Sequence, residues 1–289
     1  MRDVNRTLSA LTVFIVLSLC GFMIPQNTAA GVLGLIKQKE FNVTEGGKFL
    51  LETEGGDVTV NSWEENKVKV KITGNSEAKK NFTFSFENDT DYVKVTGEKH
   101  VKSLFGWFSS VELRYEVLIP KNFDLQIATA GGDIEIETVR GTVNAKTSGG
   151  DIRINDIEGE VSLKTAGGDI NCTSVRGDII AKTSGGDIGL KDVTGKINSS
   201  TAGGDISVDY VGENKGIELY TSGGDIKISV PGNFSADINF KTIGGEIRVG
   251  LENLKNVQNS RFSFRATVGK SGNPLIAKTT GGDIILTTG

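Results

Sequence analysis

One six-residue phrase returns through the middle of the chain. Thr-Ala-Gly-Gly-Asp-Ile occupies 129–134, 165–170 and 201–206, and Thr-Ser-Gly-Gly-Asp-Ile occupies 147–152, 183–188 and 221–226. The first five copies start 18 residues apart and the last step is 20. Degenerate copies stand at 53–58, 242–247 and 279–284. A fixed short period means one small unit that cannot bury its own apolar face and must stack on its neighbours.

The unit 151–168 has two halves. Asp151-Ile152-Arg153-Ile154-Asn155-Asp156-Ile157 is followed by Glu158-Gly159, and Glu160-Val161-Ser162-Leu163-Lys164-Thr165-Ala166 by Gly167-Gly168. Both halves alternate apolar and polar residues, the mark of a strand. The glycines mark turns, where positive φ costs them little. Equivalent positions form four apolar columns: Ile134 to Ile226, Ile136 to Val208 (with Cys172), Val143 to Ile217, and Val139 to Val211. With each unit as one coil about 4.8 Å above the last, these columns become buried ladders. The expected fold is therefore all-β, a β-solenoid (β-helix) of 18-residue coils. The alternative is an antiparallel β-meander with turns at Glu158-Gly159 and Gly167-Gly168. The meander leaves an apolar face without an amphipathic helix to cover it, and the fourth column breaks its alternation.

Four regions follow. Residues 1–30 read as an export signal: Arg2 and Arg6, an apolar run from Leu8 to Ile24, Pro25, then Thr28-Ala29-Ala30 before a cleavage point. Uncleaved, the same stretch is a membrane anchor, the only membrane contact expected of its kind. Cleavage leaves one cysteine, Cys172, placed in an apolar column as a small buried hydrophobe. Residues 31–128 are a β-rich lead-in, either irregular coils or a small separate sheet that caps the stack. Residues 129–226 are the regular coils. Residues 227–289 are irregular coils or a cap, in which 251–260 lacks a period and reads as a loop or short helix. A net charge of −4 argues against nucleic acid as a partner.

Thr53-Glu54-Gly55-Gly56-Asp57-Val58-Thr59-Val60 with Trp63, Tyr115-Glu116-Val117-Leu118-Ile119-Pro120, and the repeated Thr-Ser-Gly-Gly-Asp-Ile together carry a resemblance. Over residues 40–289 the chain resembles the bacterial and archaeal "putative adhesin" family, exported β-strand-repeat domains of unknown function. The resemblance implies a β-helical architecture and a cell-envelope or extracellular setting. It supplies no catalytic residues.

Three features are candidates for chemistry. Asp133, Asp151, Asp169, Asp187, Asp205 and Asp225 form a column whose neighbours repel by about 1 kcal/mol per pair in water. Ca²⁺ between coils is one way to offset this. Hydrogen bonds from turn amides, helped by Lys146, Lys164 and Lys182, are the other and the preferred one. No further cofactor is expected. The Thr column (Thr129, Thr147, Thr165, Thr183, Thr201, Thr221) reads as a corner-shaping feature, with a flat glycan- or ice-matching array as the alternative. Leu104, Phe105, Trp107 and Phe108 form an apolar segment between two strands, a contact site if exposed and core if buried. His100 is the only histidine, so no catalytic triad or zinc site is indicated.

The reading is an exported, non-enzymatic scaffold or adhesin presenting a regular face to a cell-surface glycan, the cell wall or an envelope protein. Two alternatives stand beside it. One is an envelope-stress or signalling component that uses 104–108 on membrane or partner. The other is a carbohydrate-active β-helix enzyme using carboxylate pairs.

Overall fold

The strand Ile152–Glu158 buries Ile152 and Ile154, then changes phase. Asp156 sits at φ 56°, in the left-handed region, so Ile157 turns inward where strict alternation would have sent it out. Thr138, Ser174 and Asp192 do the same one coil away in each direction and one further on, at φ 55°, 54° and 53°. Gly159 follows at φ 148° and redirects the chain into the second strand, Val161–Lys164, which buries Val161 and Leu163. Thr165 and the glycine pair then close the coil.

The computed structural model describes residues 33–100, 111–270 and 272–289. The export signal expected over 1–30 and the apolar segment 104–108 lie outside the described residues. The two strands of each coil belong to different sheets, and each pairs in parallel with its equivalents. Ile152 stands beside Ile134 and Ile170, and Val161 beside Val143 and Ile179. This is a solenoid; the meander would have paired the two strands of one unit with each other. Sheet A, which holds Ile152–Glu158 and its equivalents, has 12 strands and sheet B, which holds Val161–Lys164 and its equivalents, has 13, and their inner faces enclose one continuous core. Three of the expected columns are buried throughout. The fourth is buried through Val193, but Val211 is 36 % exposed and Tyr210 takes its place. The register shifts there, pairing Val193 with Tyr210, because this coil has no counterpart of the left-handed Asp192 to change the phase of its first strand.

The lead-in is not a separate sheet. Lys48–Thr53 and Asp57–Trp63 make a coil whose strands pair in parallel with Asp124–Thr129 and Ile134–Arg140 on one side. On the other side they pair with Tyr92–Lys99 and Leu113–Pro120. The far end repeats the device. Pro274–Lys278 and Ile284–Thr288, the last strands, slot between the coil 217–230 and the coil 236–249. Residues 251–260 contain no helix; Lys255–Ser260 is a strand, antiparallel to Ser263–Val268.

Three of the four sheet edges among the described residues end in antiparallel strands. Gly34–Asn42 closes sheet A on Lys67–Gly74, Phe82–Asn88 closes sheet B on Tyr92–Lys99, and Lys255–Ser260 closes the other edge of sheet B. Such strands break the parallel repeat and so hide an edge that would otherwise template further pairing. One short helix, Ser76–Asn81, lies at the N-terminal end, capped by Asn75 Oδ1 accepting the Ala78 N–H at 2.9 Å.

Candidate interaction surface

The repeated phrase is spent on holding coils together. Each threonine is buried and donates its hydroxyl to a carbonyl of the preceding coil: Thr147 to Gly132, Thr165 to Gly150, Thr183 to Gly168 and Thr201 to Gly186, all at 2.9 Å. The threonines therefore point into the molecule and form no surface array. The second glycine of each pair lies against its equivalent. A Cβ on Gly150 would stand 2.2 Å from the Gly132 carbonyl oxygen, and one on Gly168 2.1 Å from that of Gly150. Close approach, rather than positive φ, makes these positions glycine.

Each aspartate accepts the backbone N–H of the next one. Asp151 N–H donates to Asp133 Oδ1 at 2.9 Å, and Asp169, Asp187 and Asp205 continue at 2.8 Å. The ladder starts at Asp57 and runs on through Asp225 and Asp283 to Glu246. An amide aimed at each carboxylate offsets the repulsion along the column. Arg153 adds an ion pair to Asp151 Oδ2 at 2.7 Å. The lysines expected to help do not: Lys146, Lys164 and Lys182 form no ion pair with the aspartates, because their strands lie in sheet B and carry them onto its outer face. Among the described residues no group of three or more His, Cys, Asp or Glu side chains is arranged to hold a metal ion.

Among the described residues, what remains for contact with other molecules is the outside of the two sheets. Sheet A carries mixed charge. A groove of about 620 Å³ there is lined by Lys69, Lys71, Arg114, Glu116, Asp133 and Glu135 among others. Its charges are partly paired, Lys71 with Glu116 at 2.9 Å and Lys69 with Glu40 at 3.1 Å. A second trough of about 660 Å³ on the same sheet is floored by Asn171, Gly189 and Ser207 and flanked by Lys191, Asp209 and Lys227.

Sheet B is different. The parallel register places Lys146, Lys164, Lys182, Ser200, Tyr220, Lys278 and Lys241 in single file, one per strand. The five lysines are exposed and, among the described residues, none is in an ion pair; Lys278 Nζ lies 5.5 Å from the centre of the Tyr220 ring. The neighbouring outward file is mostly amides and hydroxyls, with Gln126, Asn144, Ser162, Asn198 and Asn239 in register. The 18-residue spacing of the first three lysines was visible in the sequence. Their true neighbours were one another, which only the parallel pairing reveals.

Two other groups are inert. Cys172 is buried in its column, and burial pushes its thiol well above the usual range. His100 contacts the Thr83 hydroxyl at the edge of the cap, and among the described residues no catalytic partner stands beside it.

A two-sheet parallel β-solenoid built on a Gly-Gly-Asp ladder defines the class. Within it, the chain belongs to the Toastrack DUF4097 family, whose model matches residues 48–287. No curated protein matches the sequence. Among solved structures, a "putative adhesin" from Bacteroides fragilis aligns with a TM-score of 0.50 at 14% identity, covering 88% of this chain and 97% of that one. A "putative cell adhesion protein" from Clostridium sporogenes aligns at 0.34 and 12% identity, over 88% of this chain and 99% of that one. A "putative lipid binding protein" from Parabacteroides distasonis aligns at 0.44 and 12% identity, over 88% and 96%. The Bacteroides fragilis likeness shows a shared fold.

Proposed function

We propose that the protein is an exported, non-enzymatic scaffold of the cell envelope that presents a long regular face to a glycan, the cell wall or a surface protein. One observation carries this reading. The repeated Thr, Gly and Asp residues are used up in coil-to-coil bonds, and the surface left over is two extended faces with one residue file per strand direction. Catalytic carboxylates would stand apart from such a ladder, as a local departure from the repeat. The description of the Bacteroides fragilis structure as an adhesin accords with the reading. So does the reading of residues 1–30 as an export signal, made from the sequence alone. The apolar residues Leu104, Phe105, Trp107 and Phe108 are proposed as a second contact, by composition alone.

The test is co-sedimentation of the purified protein with cell-wall and exopolysaccharide preparations, with and without Ca²⁺, scored also for polymer shortening. Retention without shortening is the expected result. Shortening of any polymer would overturn the reading. Loss of retention in Trp107→Ala with the fold intact would assign the contact to 104–108.

A further inference from the structure

The lysine file on sheet B is an unusual arrangement. Like charges directly opposite each other in neighbouring strands destabilise a sheet. Here three lysines are consecutive and two more are adjacent, Lys278 beside Lys241. No carboxylate is within ion-pair distance of any of the five among the described residues. The acids that share this face are engaged elsewhere or stand off. Glu52, at the N-terminal end of the file, is held by Lys94 at 3.2 Å. Glu218 accepts the Tyr220 hydroxyl at 3.1 Å. Glu160 and Asp178 lie at the opposite margin of their strands, and Asp178 Oδ1 accepts the Lys196 N–H at 2.8 Å. The repeat removed repulsion from the aspartate column with an amide at every step, yet left it in the lysine file.

We propose that the outer face of sheet B binds a linear anionic polysaccharide laid along the solenoid axis, with Lys146, Lys164 and Lys182 meeting three successive acid groups and Lys278 and Lys241 two more beyond a gap. This rests on the envelope reading above and deepens it by naming the surface and the chemistry of the partner. The file crosses seven strands. At about 4.8 Å per step it extends for about 29 Å. One step matches the length of a pyranose ring in an extended chain, so a polymer bearing one acid per sugar meets a lysine at five of the seven strands, three in a row and then two. The file is about three Debye lengths long at 0.1 M salt, so an approaching polymer responds to this stripe and not to the net charge of the whole chain. In the adjacent file Gln126, Asn144, Ser162, Asn198 and Asn239 supply donors and acceptors for sugar hydroxyls, interrupted by Ile180, Glu218 and Ile276. Tyr220 supplies a ring face in the gap between Lys182 and Lys278. A single row of ammonium point charges, without arginine forks or several stacking rings, suits one acidic glycan strand better than a nucleic acid.

The experiment measures binding of the full chain to polygalacturonate, which carries carboxylates, and to phosphomannan, a polysaccharide that carries phosphates. Neutral dextran, single-stranded DNA and phosphatidylglycerol vesicles are run beside them at 50 and 300 mM salt. The expected result is binding of at least one anionic polymer and not dextran, weakened at least tenfold by salt. The variant K146Q/K164Q/K182Q should lose at least tenfold, while the sheet A variant K191Q/K227Q should stay within twofold. Which polymer binds tells carboxylate from phosphate. Tighter binding of DNA or vesicles than of either polymer would overturn the assignment, as would unchanged binding by the triple variant or none at 50 mM salt. If the triple variant still co-sediments with cell walls, the lysine file is wrong and the envelope reading survives. If the unaltered protein is retained on no wall or glycan preparation, the envelope reading falls first. All three lysines are exposed, and unchanged circular dichroism and melting temperature confirm that the variant is folded.

Discussion

The two glycines of each Gly-Gly-Asp corner look equivalent in the sequence, and the structure says they are not. At Gly149 nothing lies within 4 Å of where a Cβ would be placed, and its φ is outside the left-handed region. At Gly150 the same atom would stand 2.2 Å from the Gly132 carbonyl oxygen, 2.4 Å from its carbon and 2.7 Å from Asp133 N. Ordinary contact begins near 3.5 Å, so Gly150→Ala must open the corner by about 1 Å. Three bonds cross that gap, each 2.9 Å long: Asp151 N–H to Asp133 Oδ1, Ile134 N–H to the Asp151 carbonyl, and Thr147 Oγ1–H to the Gly132 carbonyl. Losing them costs about 1 kcal/mol each, and residual strain brings the total to about 4 kcal/mol. In a chain of this size that lowers the melting temperature by about 10 °C. Gly149→Ala should be neutral or raise stability by about 0.5 kcal/mol, because alanine restricts the unfolded chain. Thermal melts followed by circular dichroism read both variants. Equal melting temperatures for Gly149→Ala and Gly150→Ala would refute the steric argument.

Three further outcomes follow from buried groups. Thr165→Val keeps shape but strands the Gly150 carbonyl and the Gly168 N–H, and should cost about 1–3 kcal/mol in urea unfolding; a solvent-facing threonine would cost almost nothing. Ser199 is fully buried with no partner for its hydroxyl, so Ser199→Ala should stabilise by about 1 kcal/mol, measured the same way. Burial pushes the Tyr115 phenol up to about 12, against a hydrogen bond with Thr53 at 2.7 Å that pulls it down. A group whose folded pKa is raised contributes fully below its unfolded pKa and loses that contribution as pH climbs to the folded one. Stability should therefore fall by about 3 kcal/mol between pH 10 and 12 on account of this residue, and Tyr115→Phe should show a shallower alkaline limb.

The regular coils were legible because each apolar column repeats at 18 residues, and a parallel stack is the arrangement that buries all of them at once. The burial of Cys172 followed from its place in a column. Val211 was misread because the column was extended 18 residues on from Val193, while this coil lacks the left-handed residue that turned Val193 inward, so Tyr210 takes the place and the extra residues of the 20-residue step follow. The extra residues carry Asn214, whose side-chain amide donates to the Asn273 carbonyl at 2.9 Å, while Asn273 donates back to the Asn214 carbonyl at 2.7 Å. That clasp involves residues 59 apart, a separation that carries no periodic signal. The lysine file was misread for a related reason. Five residues along the chain from an aspartate is near in sequence, but the corner between them sends the two side chains to different sheets.

The insertion of both terminal coils out of chain order follows from the same repetition that made the fold legible. Every coil offers one interface on its upper side and the complementary one below: a threonine donor, a glycine carbonyl, an aspartate carboxylate and an amide. Nothing in that set distinguishes the coil 274–288 from any other, so chain order is decided by how far the connections reach. The antiparallel strands at 255–268 carry the chain out and back, and the last coil returns beneath the coil 236–249. The same logic requires a stop, since an interface that fits any coil also fits a coil from another molecule. At the outermost position the ladder residue is Glu246 instead of Asp, and its carboxylate takes Arg248 at 2.6 Å in place of a further amide. Arg248 also reaches Asp283, at 3.4 Å, one step inside. The ladder thus ends on an ion pair at the edge of sheet A that, among the described residues, no antiparallel strand covers.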